Sequence, residues 1–151
     1  MKKPDSLKAV LLRAVKQLAE KPENLTLFID RGTIRCRAGS LSFEYAYTLN
    51  IVLQDFAGSI DTLIVPILGW IGDHQPELRQ KQDSQPFTFE SEILDGDLCD
   101  ISIDIALTER VRVTPAEGGV RVTHIDDTLP PDAFAGVAGV RLIDGVVDVP
   151  A

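Results

Sequence analysis

The chain has 151 residues, of which 44% are hydrophobic and 25% charged, so it can bury one core without a metal ion or a disulfide. Its formal net charge of −8 argues against a protein whose main task is to neutralise the phosphates of duplex DNA. The polar N-terminus and the lack of an apolar run of about 20 residues predict a protein that stays in the cytoplasm.

The charge is distributed unevenly along the chain. Residues 1–37 carry nine Lys or Arg against four Asp or Glu, whereas residues 38–151 carry six against nineteen. This asymmetry is compatible with a polarised subunit, but two solvated regions are the simpler explanation. Charge alone therefore suggests a partner without identifying one.

The first predicted element is a helix that begins near Asp5 or Ser6, either of which can cap it, and ends at Pro22. Its apolar positions recur every three or four residues: Leu7, Val10, Leu11, Ala14, Val15 and Leu18. The remaining face is mostly basic and includes Lys8, Arg13 and Lys16. We expect this face to meet water or a partner.

Strands follow the helix. Two short ones are predicted at residues 25–30 and 33–37, with Arg31-Gly32 at the reversal. Residues 43–54 alternate strictly, with Phe43, Tyr45 and Tyr47 on the apolar side. Core packing explains these aromatic residues better than base stacking, because the neighbouring sequence is not basic. Twelve residues span roughly 40 Å, so this strand must bend, carry a bulge or project.

A second helix is predicted from Ser59 or Asp61 to about Gln75. Its buried stripe is predicted to contain Ile60, Leu63, Ile64, Ile67, Leu68 and Ile71, with Val65 and Trp70 on the flanks. Pro66 falls inside the pattern, so we expect a kink or a later start. Residues 77–86 are polar and indicate a surface loop.

Two hairpins complete the pattern. A strand at residues 87–93 turns at Asp95-Gly96 into a second long strand, residues 98–113. That strand turns again at residues 115–119 and returns over 120–125, as a hairpin that we expect to project from the core. The sequence thus predicts an α+β fold: a mostly antiparallel sheet with two helices packed on one face. Residues 1–125 form one domain, and residues 126–151 are a C-terminal extension, either a small hairpin or an unfolded tail.

Chemical motifs are scarce. Acidic residues crowd around the first hairpin, but Asp100 and Asp104 lie about 13 Å apart along one strand, too far to share a cation or a glycosidic bond. Cys36 and Cys99 are far apart in sequence, and no nucleophile elbow or phosphate loop occurs. We therefore predict no metal ion, no cofactor and no enzymatic activity.

Short segments along the chain follow one another in a specific order. They are residues 3–7 (KPDSL), 40–45 (SLSFEY), 47–50 (YTLN), 55–56 (DF), 65–66 (VP) with Trp70, 75–76 (QP), 87–89 (FTF), 100–103 (DISI) and 107–110 (LTER). In this succession the chain closely resembles the GpR-type tail completion family of temperate contractile-tailed phages. The resemblance covers about residues 1–125.

The resemblance implies a fold similar to tail terminators and a virion component without catalytic residues. Such a protein acts late in assembly, capping the tail tube or sheath at the head-proximal end and enabling head–tail joining. By analogy it forms a homo-oligomeric ring, commonly a hexamer, and meets tube, sheath, connector or neck proteins. It would be found in the host cytoplasm during assembly and then in the virion tail, without a membrane or sequence-specific nucleic acid as partner. The alternative is another neck or tail structural protein, or a general interaction module.

The subunit contact is predicted to involve the two long strands, because strands that outrun a small core leave unpaired backbone edges that another copy can pair. Residues 43–54 and 98–113 are therefore expected at this contact. The candidate contact residues for subunits or partners are Lys8, Arg13, Lys16, Phe43, Tyr45, Tyr47, Asp100, Asp104, Glu109 and Arg110.

Overall fold

The computed structural model describes residues 1–125, 141–143 and 146–148. The elements are α1 (Lys3–Ala14), α2 (Lys16–Glu20), β1 (Leu25–Cys36), β2 (Phe43–Ala57), α3 (Asp61–His74), β3 (Thr88–Ile93), β4 (Leu98–Ala116), β5 (Gly119–Ile125), β6 (Arg141–Ile143) and β7 (Val146–Asp148). Single 3-10 turns at Pro22–Asn24 and Pro76–Arg79 follow α2 and α3. The predicted α+β class with a mostly antiparallel sheet is confirmed.

Five strands form the main sheet in the order β1-β2-β4-β3, and β5 also pairs with β4. All pairings are antiparallel. Strand β4 pairs with β2 along one edge, and with β3 and then β5 along the other. Up to Val111 the two long strands are therefore internal, and the prediction that their own edges are unpaired is wrong for this part of them. Among the described strands, the edges without a neighbouring strand belong to β1, β3, β5 and the last five residues of β4.

The core lies between the helices and one face of the sheet. Odd-numbered residues of the two long strands point into it: Leu49, Ile51 and Leu53 from β2, and Ile101, Ile103, Ile105 and Leu107 from β4. The helices add Leu7, Leu11, Leu63, Ile67, Trp70 and Ile71. This arrangement confirms the alternation predicted for both strands, since burial of apolar area favours one dry face.

Strand β1 is continuous, so the predicted reversal at Arg31-Gly32 is wrong. Asp30 pairs with Thr48 and Thr33 with Ala46, which leaves two residues of β1 opposite one of β2. Arg31 adopts a positive φ of 53° at this bulge. A positive φ next to glycine suits both a tight turn and a bulge, and the sequence does not separate the two.

Strand β2 extends beyond the predicted end at Gln54 because a second bulge lies between Leu53 and Phe56. Asp55 has a φ of 53°, and its amide donates to Oδ1 of Asp100 at 3.0 Å. The shift in register returns Phe56 to the core, where it is 1% exposed. The expected bulge is thus present, at the residues predicted to close the strand.

The first helix begins at Lys3 rather than at Asp5 or Ser6, with Pro4 in its first turn, where the missing amide hydrogen costs nothing. It is also interrupted. Val15 adopts an extended conformation between α1 and α2, yet Val15 and Leu18 are both buried. The apolar stripe therefore continues across the break, which is why the periodicity did not reveal it.

Helix α3 runs continuously from Asp61 to His74 through Pro66. The Ser59 hydroxyl accepts a hydrogen bond from the Asp61 amide at 3.2 Å. The buried stripe differs from the predicted one, because Pro66 and Trp70 lie in it while Val65 is 43% exposed. No helix within the described ranges is long and apolar enough to cross a membrane.

Strand β4 continues beyond its pairing with β2, which ends at Phe43 and Val111, and its last five residues pair with β5 alone. This hairpin extends past the body of the sheet. Farther along the chain, β6 and β7 form a separate antiparallel pair. The other residues of the predicted C-terminal extension lie outside the described residues.

Candidate functional site

A cluster of buried polar groups fills the stretch of the β4 edge between β3 and β5. Thr108 lies in this stretch, where neither strand pairs with it. Its carbonyl accepts a hydrogen bond from Lys3 Nζ at 2.5 Å, and its amide donates to Gln75 Oε1 at 3.2 Å. Lys3 Nζ also donates to Gln75 Oε1 at 2.6 Å. The ends of α1 and α3 thus supply the hydrogen bonds that a neighbouring strand would otherwise provide.

Glu109 lies beside this cluster and is only 5% exposed. Its Oε1 accepts from the Lys2 amide at 2.7 Å, and its Oε2 accepts from the Tyr47 hydroxyl at 2.6 Å. Burial, followed by the hydrogen bond to Glu109 and its charge, raises the pKa of Tyr47 far above the ordinary value. Tyr47 and Glu109, both predicted contact residues, therefore bond to each other inside the subunit and join the chain terminus to the sheet.

A second polar contact connects the two long helices. Trp70 Nε1–H donates to Ser6 Oγ at 3.0 Å, and the Trp70 and His74 rings stack with centroids 4.7 Å apart. Ser6, expected as a possible cap, thus holds α1 against α3. Burial raises the pKa of Asp73 next to this pair, while His74 and Arg79 act in the opposite direction.

The other predicted contact residues lie in three separate regions. Lys8, Arg13 and Lys16 are exposed on α1 and α2, away from the sheet. Phe43 and Tyr45 are half-buried, and their rings meet edge to face with centroids 5.1 Å apart. The structure therefore does not bring the basic helical residues and the aromatic residues together.

The second face of the sheet is polar and carries the remaining predicted residues. Asn50 Nδ2 donates to Ser102 Oγ at 2.9 Å and to Asp104 Oδ1 at 2.7 Å, so Asp104 is part of a cross-strand hydrogen-bond group. Asp100 accepts from the β2 bulge. Among the residues the structure describes, no group of three or more His, Cys, Asp or Glu side chains is placed to hold a metal ion.

The open edges carry exposed apolar side chains that the sequence analysis did not single out. On β1 these are Phe28, Ile29 and Ile34, which are 51%, 44% and 59% exposed. On the other open strands they are Phe89, Ile93, Val120 and Val122, of which Ile93 is 87% exposed. Unpaired edges with exposed apolar residues are typical places for another chain to pair. Alternation alone did not reveal them, because it does not show where the helices stop covering the sheet.

A groove of about 580 Å³ lies where the ends of β1, β4 and β5 meet the start of β2. Four arginines line it: Arg35, Arg37, Arg110 and Arg112. Among the described lining residues Glu44 is the carboxylate, and its Oε1 lies 3.7 Å from Arg35 Nη1. Of these arginines only Arg110 was a predicted contact residue. Arg35 and Arg37 come from a distant segment, and Arg112, on the same face of β4 as Arg110, was missed.

Open strand edges with apolar side chains, together with charged surfaces of opposite sign, characterise a subunit that assembles with other chains. Comparisons with known proteins identify the family to which this subunit belongs. The chain belongs to the P2 phage tail completion protein R (GpR) family, whose model matches residues 1–128. It is 42% identical over 135 residues to the tail completion protein R of Escherichia phage P2, covering 87% of both chains. No solved structure matches the chain. The resemblance noted in the sequence is therefore confirmed.

Proposed function

We propose that this protein completes the tail of a contractile-tailed phage by capping the tube or sheath at the head-proximal end and enabling the head to join. The observation that carries this proposal is the 42% identity to the tail completion protein R of phage P2 along 87% of both chains. The match extends over the five-stranded sheet, the helices and the projecting hairpin, so it does not depend on one shared motif.

The protein acts by contact, as one subunit of a closed homo-oligomeric ring, with six copies expected by analogy. The open edge of β1 and the open edges of β3 and β5 lie on opposite sides of the sheet. When the edge on one side of the sheet pairs with the edge on the other side of the next copy, the contact is head-to-tail. Such contacts close into a ring when the rotation from each copy to the next brings the last copy back to the first. Such pairing would also cover the exposed Phe28, Ile34 and Phe89.

The basic face of α1 and α2 serves a different partner from the acidic remainder of the chain. Lys8, Arg13 and Lys16 are exposed and lie on the helical side, while Asp100 and Asp104 lie on the opposite face of the sheet. Two surfaces of opposite charge allow one subunit to distinguish the tail tube and sheath from the connector or neck. An acidic lumen would also let DNA pass without adhering.

Deletion of the gene from the phage tests the proposal directly. Electron micrographs of the lysate should show free heads beside tails with unfinished upper ends, and a plasmid copy should restore joined particles. Normal joined particles in the deletion strain would refute the proposed function. Complete, well-ended tails that fail to join heads would instead favour another neck protein.

Reversal of the basic charges on α1 and α2 tests whether this face binds a partner of its own. The variant Lys8→Glu/Arg13→Glu/Lys16→Glu should fold normally, because all three side chains are exposed, but should fail to restore head joining. Lys81→Glu, a reversal in the exposed segment after α3, is the control and should complement fully. Equal phage yields from the two variants would remove the basic face from the proposal.

A further inference from the structure

Two surfaces of opposite charge lie at opposite ends of the same long strand. The arginine groove is at the β5 end of β4, where the described lining residues include four arginines and one carboxylate, Glu44. The β3–β4 hairpin is at the other end. Residues 90–100 of this hairpin contain Glu90, Glu92, Asp95, Asp97 and Asp100 and no Lys or Arg.

The hairpin contains a repulsion that nothing on its own strands relieves. Glu92 and Asp100 are direct cross-strand partners, and like charges in this position destabilise a sheet. The groove has the opposite excess among the described residues, because Glu44 lies beside Arg35 and no other described carboxylate lines the groove with Arg37 and Arg112. Each surface would therefore gain from a partner of the other sign.

The two surfaces cannot neutralise each other within one chain. Asp100 and Arg110 are ten residues apart on β4, a separation of roughly 33 Å along an extended strand. Salt screens exposed charges beyond about 8 Å at physiological ionic strength. A second copy of the chain can bring the two surfaces together.

The hairpin and the groove also both contain apolar side chains. At the tip of the hairpin Ile93 is 87% exposed and Leu98 is 37% exposed. The groove lining includes the half-buried Phe43 and Ile125 beside the arginines. An apolar centre surrounded by charged groups is the usual composition of a specific protein interface.

We infer that the arginine groove receives the acidic β3–β4 hairpin of a neighbouring copy of this chain. The inference deepens the proposed function, on which it rests, by naming the two surfaces that meet in the ring. The contact is head-to-tail, since one end of each subunit binds the opposite end of the next. It also places the open edge of β3 near the end of the neighbour's β1.

Charge reversal on either surface tests the contact in the full-length protein by sedimentation. The groove variant is Arg37→Glu/Arg112→Glu and the hairpin variant is Glu90→Lys/Glu92→Lys; all four side chains are exposed. Each variant should self-associate about a hundredfold more weakly than the wild type, because like charges across an interface oppose association. The variant Lys21→Glu/Lys81→Glu, at two exposed lysines outside both surfaces, is a matched control, and it should associate like the wild type.

Rescue separates the contact from a general loss of folding. A chain that carries all four substitutions has both charges exchanged and should associate again. An equal mixture of the groove variant and the hairpin variant should also associate, with the two alternating around the ring. Failure of both rescues, or wild-type association by either variant alone, would overturn the inference.

The exposed thiol of Cys36, which lines the groove, reports directly on its occupancy. Alkylation by iodoacetamide should slow in the wild type as its concentration rises through the association range, and should stay fast in the hairpin variant. Asp126 and Asp127 follow Ile125 in the sequence and offer a competing occupant from the same chain. Equal protection of Cys36 in the hairpin variant would favour that occupant and overturn the inference.

Phage complementation distinguishes this inference from the proposed function. If the wild-type gene restores joined particles and both reversal variants do so equally well, the hairpin contact is wrong while tail completion stands. If the wild-type gene restores nothing, the proposed function itself fails.

Discussion

Replacement of Tyr47 by phenylalanine should lower the free energy of unfolding by about 2 kcal/mol. The Tyr47 hydroxyl donates to Glu109 Oε2 at 2.6 Å, and both residues are 5% exposed. Hydrogen bonds to charged groups contribute about 1.5–3 kcal/mol, because a buried charge left without its donor loses solvation that water does not restore. Phenylalanine retains the ring and its packing, so the loss is confined to the hydroxyl.

Urea denaturation at pH 7 measures this difference, and thermal unfolding should show a fall of about 4–8 °C in Tm. Tyr45→Phe makes the same chemical change two residues away, at a half-buried position, and is the matched control. Its effect should stay within about 0.5 kcal/mol. Equal stability of the two variants would refute the view that the bond to Glu109 stabilises the fold.

The pH dependence gives a second measurement on the same pair. The pKa of Tyr47 is raised in the folded state, whereas in the unfolded chain tyrosine ionises near pH 10. Above about pH 10 the unfolded state releases this proton while the folded state keeps it, so stability falls as pH rises. The advantage of the wild type over Tyr47→Phe should therefore be constant below about pH 10 and shrink above it.

Three further changes test other parts of the structure by urea denaturation. Lys3→Met should destabilise the folded state by about 1–3 kcal/mol, because it leaves the Thr108 carbonyl on the β4 edge without its donor. The control Lys2→Met changes an exposed side chain and should be nearly neutral. Arg31→Gly should be neutral or stabilise by up to about 1 kcal/mol, since it relieves a positive φ at the β1 bulge; a clear loss of stability would contradict the bulge geometry. Trp70→Phe should destabilise by about 1–3 kcal/mol by removing the hydrogen bond to Ser6 and leaving a partial cavity, and an unchanged denaturation midpoint would disprove that packing.

The parts of the fold that the sequence predicted correctly are those where one local pattern is sufficient. Strict alternation over residues 43–53 and 98–107 placed Leu49, Ile51 and Ile103 in the core, because a period of two leaves one face for burial. The turn at Gly118 was equally local, since glycine supplies the positive φ of 75° found there.

The predictions from sequence were wrong where one local pattern is compatible with two different structures. Arg31-Gly32 fits a turn and a bulge alike, and the choice depends on the pairing of β1 with β2 over ten residue pairs. Similarly, the stripe of α3 includes Trp70 because Ser6 of α1 supplies a partner for its indole nitrogen. Both outcomes are set by tertiary contacts that no short segment contains.

The arginine groove was the part of the candidate site that was hardest to predict from the sequence. The arginines of the groove come from residues 35–37 and 110–112, which meet only through the register that pairs Cys36 with Phe43 and Phe43 with Val111. Glu109 was predicted as a contact residue on the second long strand, although it is buried in the structure. Its burial depends on the Lys2 amide and the Tyr47 hydroxyl, which the chain brings from far away.

The side chains of Lys3 and Gln75 lie between β3 and β5, and this placement affects which changes in hairpin length the fold can accept. Because these side chains occupy the β4 edge at Thr108, the two hairpins meet β4 through separate stretches and share no ladder. A change in the length of one hairpin therefore need not shift the register of the other. One end of the subunit can therefore change in sequence and length while the other end stays unaltered.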